Sequence, residues 1–262
     1  MNVLVTTTRE GSTELINKAI KISEELDIKF IERENCSLEK IIEDSNYDIE
    51  YLLVVERDRL ILKGKDSDLF WHPNMAELKI KSIKNSNKES VMEAMKLQSG
   101  DSVLDCTLGL AGDSIIFSAM VGAEGKVVGT EVNKYIAYLT KDGLKNYKNV
   151  AEETKRAMDR IEVINSSYKD FLEKQKDNSF DIVYFDPMFK KANKKSTSIN
   201  SFRNFADHSG LSKDIINEAL RVCRKRVVIK ERQGNNDFEK LGIEKVYGSK
   251  KNGAIIYGVI EK

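Results

Sequence analysis

The chain has 262 residues, of which 40% are hydrophobic, and its 43 Lys and Arg residues nearly balance 42 Asp and Glu residues, giving a net charge of +1. This length suits one large domain, or a medium-sized domain with a small partner, and the hydrophobic fraction suffices for a core. The charge balance excludes a polycation, so any contact with nucleic acid has to come from a local basic patch.

The sequence carries no sign of membrane insertion or export. No apolar run approaches the ~20 residues that span a bilayer. The first residues, MNVLVTTTREGS, lack the charged start and long apolar centre of a signal peptide. Cys36, Cys106 and Cys223 are scattered and have no metal-ligand spacing. We therefore predict a reduced, cytoplasmic protein with no membrane contact and no metal.

Residues 1–68 predict a small α/β unit. Strands are expected at 3–7 and 28–31, and a hairpin at 51–55 and 59–63. Ser12 and Ser37 are each placed to begin a helix. The segment contains no group of residues with a catalytic or binding pattern, so it is expected to be a positioning or dimerising module, or a structural extension. The sequence leaves the oligomeric state open.

Residues 69–98 are predicted to be a linker followed by a lead-in helix at 88–97. They hold the only tryptophan, Trp71, followed by four lysines: Lys79, Lys81, Lys84 and Lys88. An aromatic residue beside interleaved lysines suits a nucleic-acid contact through stacking and phosphate neutralisation. The alternative is a linker whose tryptophan packs between domains and whose lysines are solvated.

The segment 102–131 predicts a strand, a glycine-bearing turn, a helix and a second strand. The turn has Asp105, Gly109, Gly112 and Asp113, and Glu131 closes the second strand, where a doubly wound sheet places an acid for the ribose hydroxyls of a nucleoside. Carboxylates at both ends of the turn would repel a pyrophosphate but tolerate a sulfonium cation. S-adenosylmethionine (SAM) therefore fits this site better than NAD, and the alternative is a turn that binds nothing.

A third strand at 161–164 follows a helix at 133–146 and a charged helical stretch at 151–160. It ends in small polar residues, including Ser166 and Ser167. Such side chains suit hydrogen bonds to an adenine ring, although a cap for the helix that follows explains them equally well.

A fourth strand, 180–185, is apolar apart from Asp181 and leads into Asp186-Pro187-Met188-Phe189. Pro187 favours extended geometry at Asp186, so the carboxylate and nearby carbonyls can accept hydrogen bonds from the exocyclic amine of a nucleobase. Such bonds would free the amine lone pair for attack on a sulfonium methyl, and Phe189 would stack on the base. Asp186, Pro187 and Phe189 are the candidate catalytic residues, and an ordinary Asp-Pro turn is the alternative.

Basic residues follow this tetrapeptide: Lys190, Lys191, Lys194, Lys195 and Arg203. Beside a base pocket they would contact RNA phosphates, which position a substrate without reading its sequence. A solvated, lysine-rich loop is the alternative.

The end of the chain predicts a helix at 211–223 and three strands at 225–230, 243–247 and 254–260. The last two strands have no long helix between them, as at the antiparallel end of a methyltransferase sheet. We therefore predict an α/β, Rossmann-like fold with a seven-stranded mixed sheet in residues 99–262, preceded by the small α/β unit.

With these motifs in order, the sequence resembles the small-subunit ribosomal RNA guanine-N2 methyltransferase J family over roughly its last three quarters. The resemblance implies a class I SAM-dependent methyltransferase fold, SAM as cofactor, and ribosomal RNA or the small ribosomal subunit as partner. It also implies that Gly112 and Asp113 contact the methionine or loop side of SAM, and that Glu131 and Val132 hold the ribose and adenine. Ser166 and Ser167 would then lie beside the adenine, with Asp186 between cofactor and target amine.

The sequence departs from the family pattern at three places. The family commonly has arginine where Gly112 stands, proline where Lys190 stands, and Arg-Pro where Glu231-Arg232 stand; the first 60 residues match poorly. Methyl transfer stays the prediction. A DNA amino-methyltransferase, a small-molecule methyltransferase and a non-catalytic RNA-binding protein on this fold remain alternatives.

Overall fold

The computed structural model describes residues 2–44, 49–65, 68–85, 89–187, 210–234, 237–251 and 254–262. The chain divides into two compact units. Among the described residues, the first unit comprises those up to His72 together with Lys141–Tyr147, and the second comprises the remainder.

The first unit is built on a four-stranded sheet in the order β1-β2-β3-β4. Its strands are β1 (Val3–Thr7), β2 (Tyr51–Val55), β3 (Leu60–Gly64) and β4 (Asp68–Phe70), accompanied by helices α1 (Thr13–Leu26) and α2 (Leu38–Asp44). Strands β1 and β2 pair in parallel, and the other two pairings are antiparallel. All five residues of β1 are buried, as expected for a parallel strand covered on both faces.

The predicted helix starts in this unit are confirmed. Ser12 Oγ accepts a hydrogen bond from Leu15 N at 3.3 Å, and Ser37 Oγ accepts one from Lys40 N at 3.1 Å. The strand expected at 28–31 is wrong, because only Phe30 bridges to Val5.

Trp71 is buried in the first unit, at 5% exposure, and its ring lies 5.5 Å from that of Tyr147 in an edge-on arrangement. A nucleobase therefore has no open face of Trp71 on which to stack. The alternative holds only in part, because the tryptophan is packed, but within the first unit rather than between domains. His72 is also engaged, with Nε2 3.0 Å from the Tyr147 hydroxyl.

The second unit contains a seven-stranded sheet in the order β10-β11-β9-β8-β5-β6-β7. Its strands are β5 (Ser102–Asp105), β6 (Lys126–Glu131), β7 (Ile161–Asn165), β8 (Phe180–Phe185), β9 (Cys223–Arg232), β10 (Lys245–Gly248) and β11 (Ile255–Glu261). The first five are parallel, while β11 is antiparallel to both β9 and β10. The predicted mixed sheet with an antiparallel end is confirmed.

The helices of the second unit are α3 (Ala76–Lys84), α4 (Ser90–Met95), α5 (Gly112–Val121), α6 (Lys134–Asn146), α7 (Glu152–Asp159), α8 (Tyr168–Lys174), α9 (Lys213–Val222) and α10 (Asp237–Leu241). Residues Lys141–Tyr147, which include the end of α6, belong to the first unit. Neither α3 nor α10 is predicted by the sequence. Within the described residues, no helix combines the length and apolar character that a bilayer crossing demands.

The order of the strands fixes where a ligand can bind. From β5 the chain moves outward through β6 to β7 and then returns to place β8 on the other side of β5. A crevice forms at such a reversal, outside the carboxyl ends of the two central strands. The ends of β5 and β8 carry Asp105 and Asp186, so both predicted acids lie at this point.

Candidate active site

Asp105 is the last residue of β5, and its side chain binds the turn that follows. Its Oδ2 accepts a hydrogen bond from Ser114 Oγ at 2.6 Å, and its Oδ1 accepts one from Thr107 N at 3.0 Å. Thr107 Oγ1 in turn accepts a hydrogen bond from Asp186 N at 2.6 Å. The carboxylate therefore holds its own loop, and that loop holds the backbone at the end of β8.

Burial raises the pKa of Asp105 to about 7, and the charges of Asp113 and Asp186 act in the same direction. The hydrogen bonds from Ser114 and Thr107 oppose this shift but do not cancel it. Because the side chain is buried and its neighbours are anionic, ionising this carboxyl costs free energy in the folded protein.

Glu131 joins the glycine loop to the end of β6. Its Oε2 accepts a hydrogen bond from Gly109 N at 3.1 Å, and its Oε1 accepts one from Asn133 N at 2.8 Å. Thr140 Oγ1 donates to the carbonyl of Gly109 at 2.8 Å. Both oxygens of the predicted ribose-binding carboxylate are thus fixed by backbone N–H groups.

The end of β7 contacts the same corner of the sheet. Asn165 Nδ2 donates to the carbonyls of Glu131 and Val132, at 2.8 and 3.1 Å, and Ser166 N donates to the carbonyl of Glu131 at 3.1 Å. The Val132 side chain is 47% exposed. Ser167 caps α8 by accepting a hydrogen bond from Asp170 N at 3.2 Å, so the helix-cap alternative describes its hydroxyl.

A lysine from β9 links the two other predicted acids. Lys230 Nζ lies 2.7 Å from Asp113 Oδ2 and 2.7 Å from Asp186 Oδ2. Tyr184 donates its hydroxyl hydrogen to Asp113 Oδ2 at 2.8 Å, and Lys79 lies 3.8 Å from Asp113 Oδ1. The result is a cluster of two carboxylates, two ammonium groups and a phenol at the carboxyl ends of β5 and β8.

The two carboxylates of this cluster have opposite pKa shifts. For Asp113, burial raises the pKa, but the Lys230 and Lys79 charges and two hydrogen bonds outweigh it and hold the pKa below its usual value. For Asp186, burial and the Asp113 charge prevail over Lys230 and raise the pKa. Burial would lower the pKa of Lys230, but the two carboxylates raise it, so the lysine stays protonated.

The helix α5 begins without a side-chain cap. Its N-cap residue, Ala111, has the left-handed value φ 63° and no side-chain acceptor for the N–H groups of the first turn. A Cβ built on Gly112, the first helical residue, would meet no atom within 4 Å. An acceptor from a ligand can therefore approach the backbone here.

The structure thus brings two groups of predicted residues together: Asp105, Asp113 and Asp186 in one, and Gly109, Glu131, Val132 and Ser166 in the other. Pro187 is the last described residue after β8. Phe189, Lys190, Lys191, Lys194, Lys195 and Arg203 lie outside the described residues. In the described part of the chain, no cluster of three or more His, Cys, Asp or Glu side chains could hold a metal ion.

Sequence reasoning missed Lys230 and Tyr184. Both were assigned to strands only, because a single lysine at the end of a basic strand and a tyrosine in an apolar strand carry no signal of their own. In a strand every second side chain lies on the same face of the sheet. This alternation puts Tyr184 on the same side as Asp186, and it is the signal that could have placed Tyr184 and Lys230 near the loop.

Residues 37–258 match the protein family described as "Putative SAM-dependent methyltransferase". A relative in Bacillus subtilis, the uncharacterized protein YpiP, is 37% identical over 259 residues, which are 98% of this chain and 99% of the relative. The ribosomal RNA small subunit methyltransferase J of Francisella philomiragia is 30% identical over 204 residues, which are 74% of this chain and 81% of that protein. These matches confirm the resemblance found in the motifs.

The fold is similar to the crystal structure of a SAM-dependent methyltransferase from Neisseria gonorrhoeae, with a TM-score of 0.66 at 16% identity. The superposition covers 98% of this chain and 95% of that chain. It confirms the predicted Rossmann-like fold, and fold and family together imply SAM as the cofactor.

Proposed function

The chain belongs to the SAM-dependent methyltransferase family, and from this premise we propose that it methylates the exocyclic N2 amino group of a guanine in small-subunit ribosomal RNA. The proposal rests on the position of Asp186, a carboxylate at the strand reversal with one oxygen held by Lys230. The relative named ribosomal RNA small subunit methyltransferase J supports the choice of substrate.

The charges around the loop fit SAM. Asp113, Asp186 and Glu131 lie at the carboxyl edge of the sheet, with Asp105 beside them. Lys230 pairs with Asp113 and Asp186, and Lys79 lies near Asp113. An excess of carboxylates would repel the pyrophosphate of a dinucleotide but attract a sulfonium cation. The uncapped start of α5 offers N–H groups to the carboxylate of the methionine portion.

Glu131 and Val132 fit the nucleoside portion. Both carboxylate oxygens of Glu131 are fixed by backbone hydrogen bonds at the end of β6. We assign this carboxylate the ribose hydroxyls, because a doubly wound sheet places an acid for them at this position. The exposed side chain of Val132 supplies an apolar surface for the adenine ring. We assign Ser166, whose N–H donates to the carbonyl of Glu131, to the adenine side of the site.

Asp186 has the capacity to activate the target amine. Among the described residues its hydrogen bonds use Oδ2 and the backbone N–H, so Oδ1 has no partner in this part of the chain. We infer that Oδ1 accepts a hydrogen bond from the N2 amino group of guanine. A hydrogen bond accepted there draws the nitrogen toward tetrahedral geometry, which localises a lone pair that the ring otherwise delocalises.

Bound SAM supplies an electrophilic methyl group on a positively charged sulfur. One nitrogen–carbon bond forms, one sulfur–carbon bond breaks, and the amine loses one proton. Asp186 Oδ1 is the acceptor for that proton, since its raised pKa increases its basicity. The residues of the site act by orientation and electrostatics, without a covalent intermediate.

The test measures transfer of a labelled methyl group from SAM to ribosomal RNA from a strain lacking this protein's gene. The RNA is offered both naked and as assembled small subunits, and the product is digested to nucleosides. Labelled N2-methylguanosine supports the proposal. SAM binding without incorporation contradicts the substrate and leaves DNA, other RNA or a small molecule to be tried in the same assay; no SAM binding indicates a non-catalytic protein.

A further inference from the structure

A buried lysine joins the two acids of the cluster. The Lys230 side chain is only 15% exposed, whereas lysine is normally a surface residue. Removing an ammonium group from water costs several kcal/mol unless charged partners compensate. Asp113 and Asp186 are those partners, each at 2.7 Å.

We propose that Lys230 is a positioning residue for methyl transfer, one that fixes Asp186 Oδ2 so that Oδ1 stays available to the amino group of the target base. This inference rests on the proposed function and assigns a residue to it. Without Lys230, two described groups would still offset part of the repulsion between the Asp113 and Asp186 carboxylates, and both act on Asp113. They are the Tyr184 hydroxyl, which donates to Asp113 Oδ2, and Lys79, which lies 3.8 Å from Asp113 Oδ1.

Lys230 takes no part in making or breaking bonds during methyl transfer. The amine nitrogen gains the methyl carbon, the sulfur keeps the electron pair of the broken bond, and the proton leaves through Asp186 Oδ1. Lys230 neither gives nor takes a proton, because its two carboxylate neighbours hold it in the charged form. Its contribution is the orientation and ionisation of Asp186.

Several titratable groups from different elements surround Asp186, and any pH effect has to be attributed among them. They are Lys230 on β9, Asp113 on α5, Lys79 on α3, Tyr184 on β8, Tyr257 on β11 and Asp105 on β5. Among these charges, Lys230 and Asp113 act most strongly on Asp186, and replacing them should move its ionisation in opposite directions.

The same strand provides a matched control. Lys225 Nζ also lies between two aspartates, 2.5 Å from Asp101 Oδ1 and 3.7 Å from Asp181 Oδ1. Asp101 precedes β5 and Asp181 is the second residue of β8, so this pairing is at the amino ends of the same two strands. Lys225 therefore resembles Lys230 in chemistry but is remote from Asp186 along the strands.

The test compares the pH dependence of kcat, at saturating SAM, in the wild type and in Lys230→Met, Lys230→Arg and Lys225→Met. In Lys230→Met we expect kcat at pH 7 to fall on the order of 100-fold. The acid limb of the profile should move up by about 1–3 pH units, because Asp186 then holds its proton more tightly. Lys230→Arg should restore most of the activity, and Lys225→Met should lower the melting temperature without moving the limb.

A second variant keeps the proposal testable if Lys230→Met does not fold. Asp113→Asn removes the neighbouring negative charge, so the acid limb should move down. The role of Lys230 would be overturned if the acid limb stayed in place in the folded variants. It would also be overturned if the Lys225→Met profile shifted like that of Lys230→Met. In either case the proposed function stands. A wild type that transfers no methyl group to ribosomal RNA overturns the proposed function and the role of Lys230 with it.

Discussion

Asp113 and Asp186 share the ammonium group of Lys230 but differ in their other contacts. Asp113 also accepts a hydrogen bond from Tyr184 and lies near Lys79, so its charge is well compensated. Asp186 Oδ2 accepts a hydrogen bond from Lys230, and the backbone N–H of Asp186 donates to Thr107 Oγ1. It is also the more exposed of the two, with 31% of its side chain accessible against 13% for Asp113. Asp186 is therefore the acid with capacity for a donor from a substrate.

Replacing Asp186 by alanine should reduce turnover by on the order of 100-fold or more, because the acceptor for the amine hydrogen is removed. The fold should persist, since Lys230 keeps Asp113 as a partner. Turnover is measured by labelled methyl transfer and folding by circular dichroism. Asp181→Ala, on the same strand, is the control: Asp181 binds Arg224 and Ser102, so its loss should lower stability and leave turnover intact. Near-normal turnover in Asp186→Ala would contradict the assigned role.

Replacing Glu131 by alanine should weaken SAM binding by about 1–3 kcal/mol, the range for removing one partner of a buried hydrogen bond. The variant lacks both the acceptor for the ribose and the hydrogen bonds that hold Gly109 and Asn133 in place. Calorimetric titration with SAM measures the change. Glu162→Ala on β7 serves as the control, because Glu162 is 52% exposed and paired with Lys126. If the affinity of Glu131→Ala equals that of the wild type, Glu131 is not in the cofactor site.

At the scale of elements, the loop between β5 and α5 depends on one carboxyl group. Asp105 binds Thr107 and Ser114 within the loop, and its pKa is raised to about 7 by burial. A raised pKa in the folded state means that the folded protein binds the proton more tightly than the unfolded chain. The resulting stability is complete below the pKa of the unfolded chain and is lost as pH rises through 7.

Comparing the wild type with Asp105→Asn should expose this effect. Asparagine retains an acceptor for Thr107 and can pair with Ser114, but it does not titrate. The free energy of unfolding of the wild type, minus that of the variant, should fall by on the order of 2–3 kcal/mol between pH 5 and pH 8. Urea unfolding at several pH values measures it. The same difference for Asp181→Asn should be flat in this window, because Arg224 holds the pKa of Asp181 well below it. A flat difference for Asp105→Asn as well would contradict the raised pKa.

The elements that the sequence predicted are those with a strong pattern. Strand β8 was predicted with its observed bounds because five of its six residues are apolar and Pro187 follows it closely. Helix α3 was missed, since its three lysines suggested a solvated linker; they pair instead with Glu77, Asp113 and Glu153. At 28–31 the apolar pattern is that of a strand, but only the backbone around Phe30 reaches β1.

The candidate site was predictable where chemistry lies in a contiguous motif. The loop from Asp105 to Asp113, Glu131 and Asp186 each follow a strand, and parallel strands bring their carboxyl ends to one edge. Lys230 was not predictable in the same way, because its partners lie 117 and 44 positions earlier in the chain. Which of several lysines on a basic strand is buried depends on the register of β9 with β8 and β11, which the sequence alone does not specify.

At the scale of the whole molecule, charge determines how RNA can be bound. The net charge is +1, and many lysines of the described residues are paired with acids, as Lys81 is with Glu77 and Lys126 with Glu162. The long-range field of such a chain attracts a polyanion weakly. If the substrate is RNA, as proposed, affinity for it must come from a local concentration of positive charge. The sequence has its densest group of lysines directly after the Asp186 tetrapeptide.

Replacing Lys190, Lys191, Lys194 and Lys195 by glutamine should lower the affinity for ribosomal RNA and flatten its dependence on salt. Each lysine that neutralises a phosphate releases a counterion, so the slope of log K against log salt should decrease in magnitude by about 0.7–0.9 for each phosphate that is no longer neutralised. Filter binding between about 50 and 300 mM salt, where this effect is large, measures the slope. The control replaces four exposed lysines elsewhere, Lys169, Lys174, Lys176 and Lys213, which changes the net charge equally, from +1 to −3. If both variants change the slope alike, net charge governs binding; a change confined to the first variant locates the RNA contact beside the acceptor for the target amine.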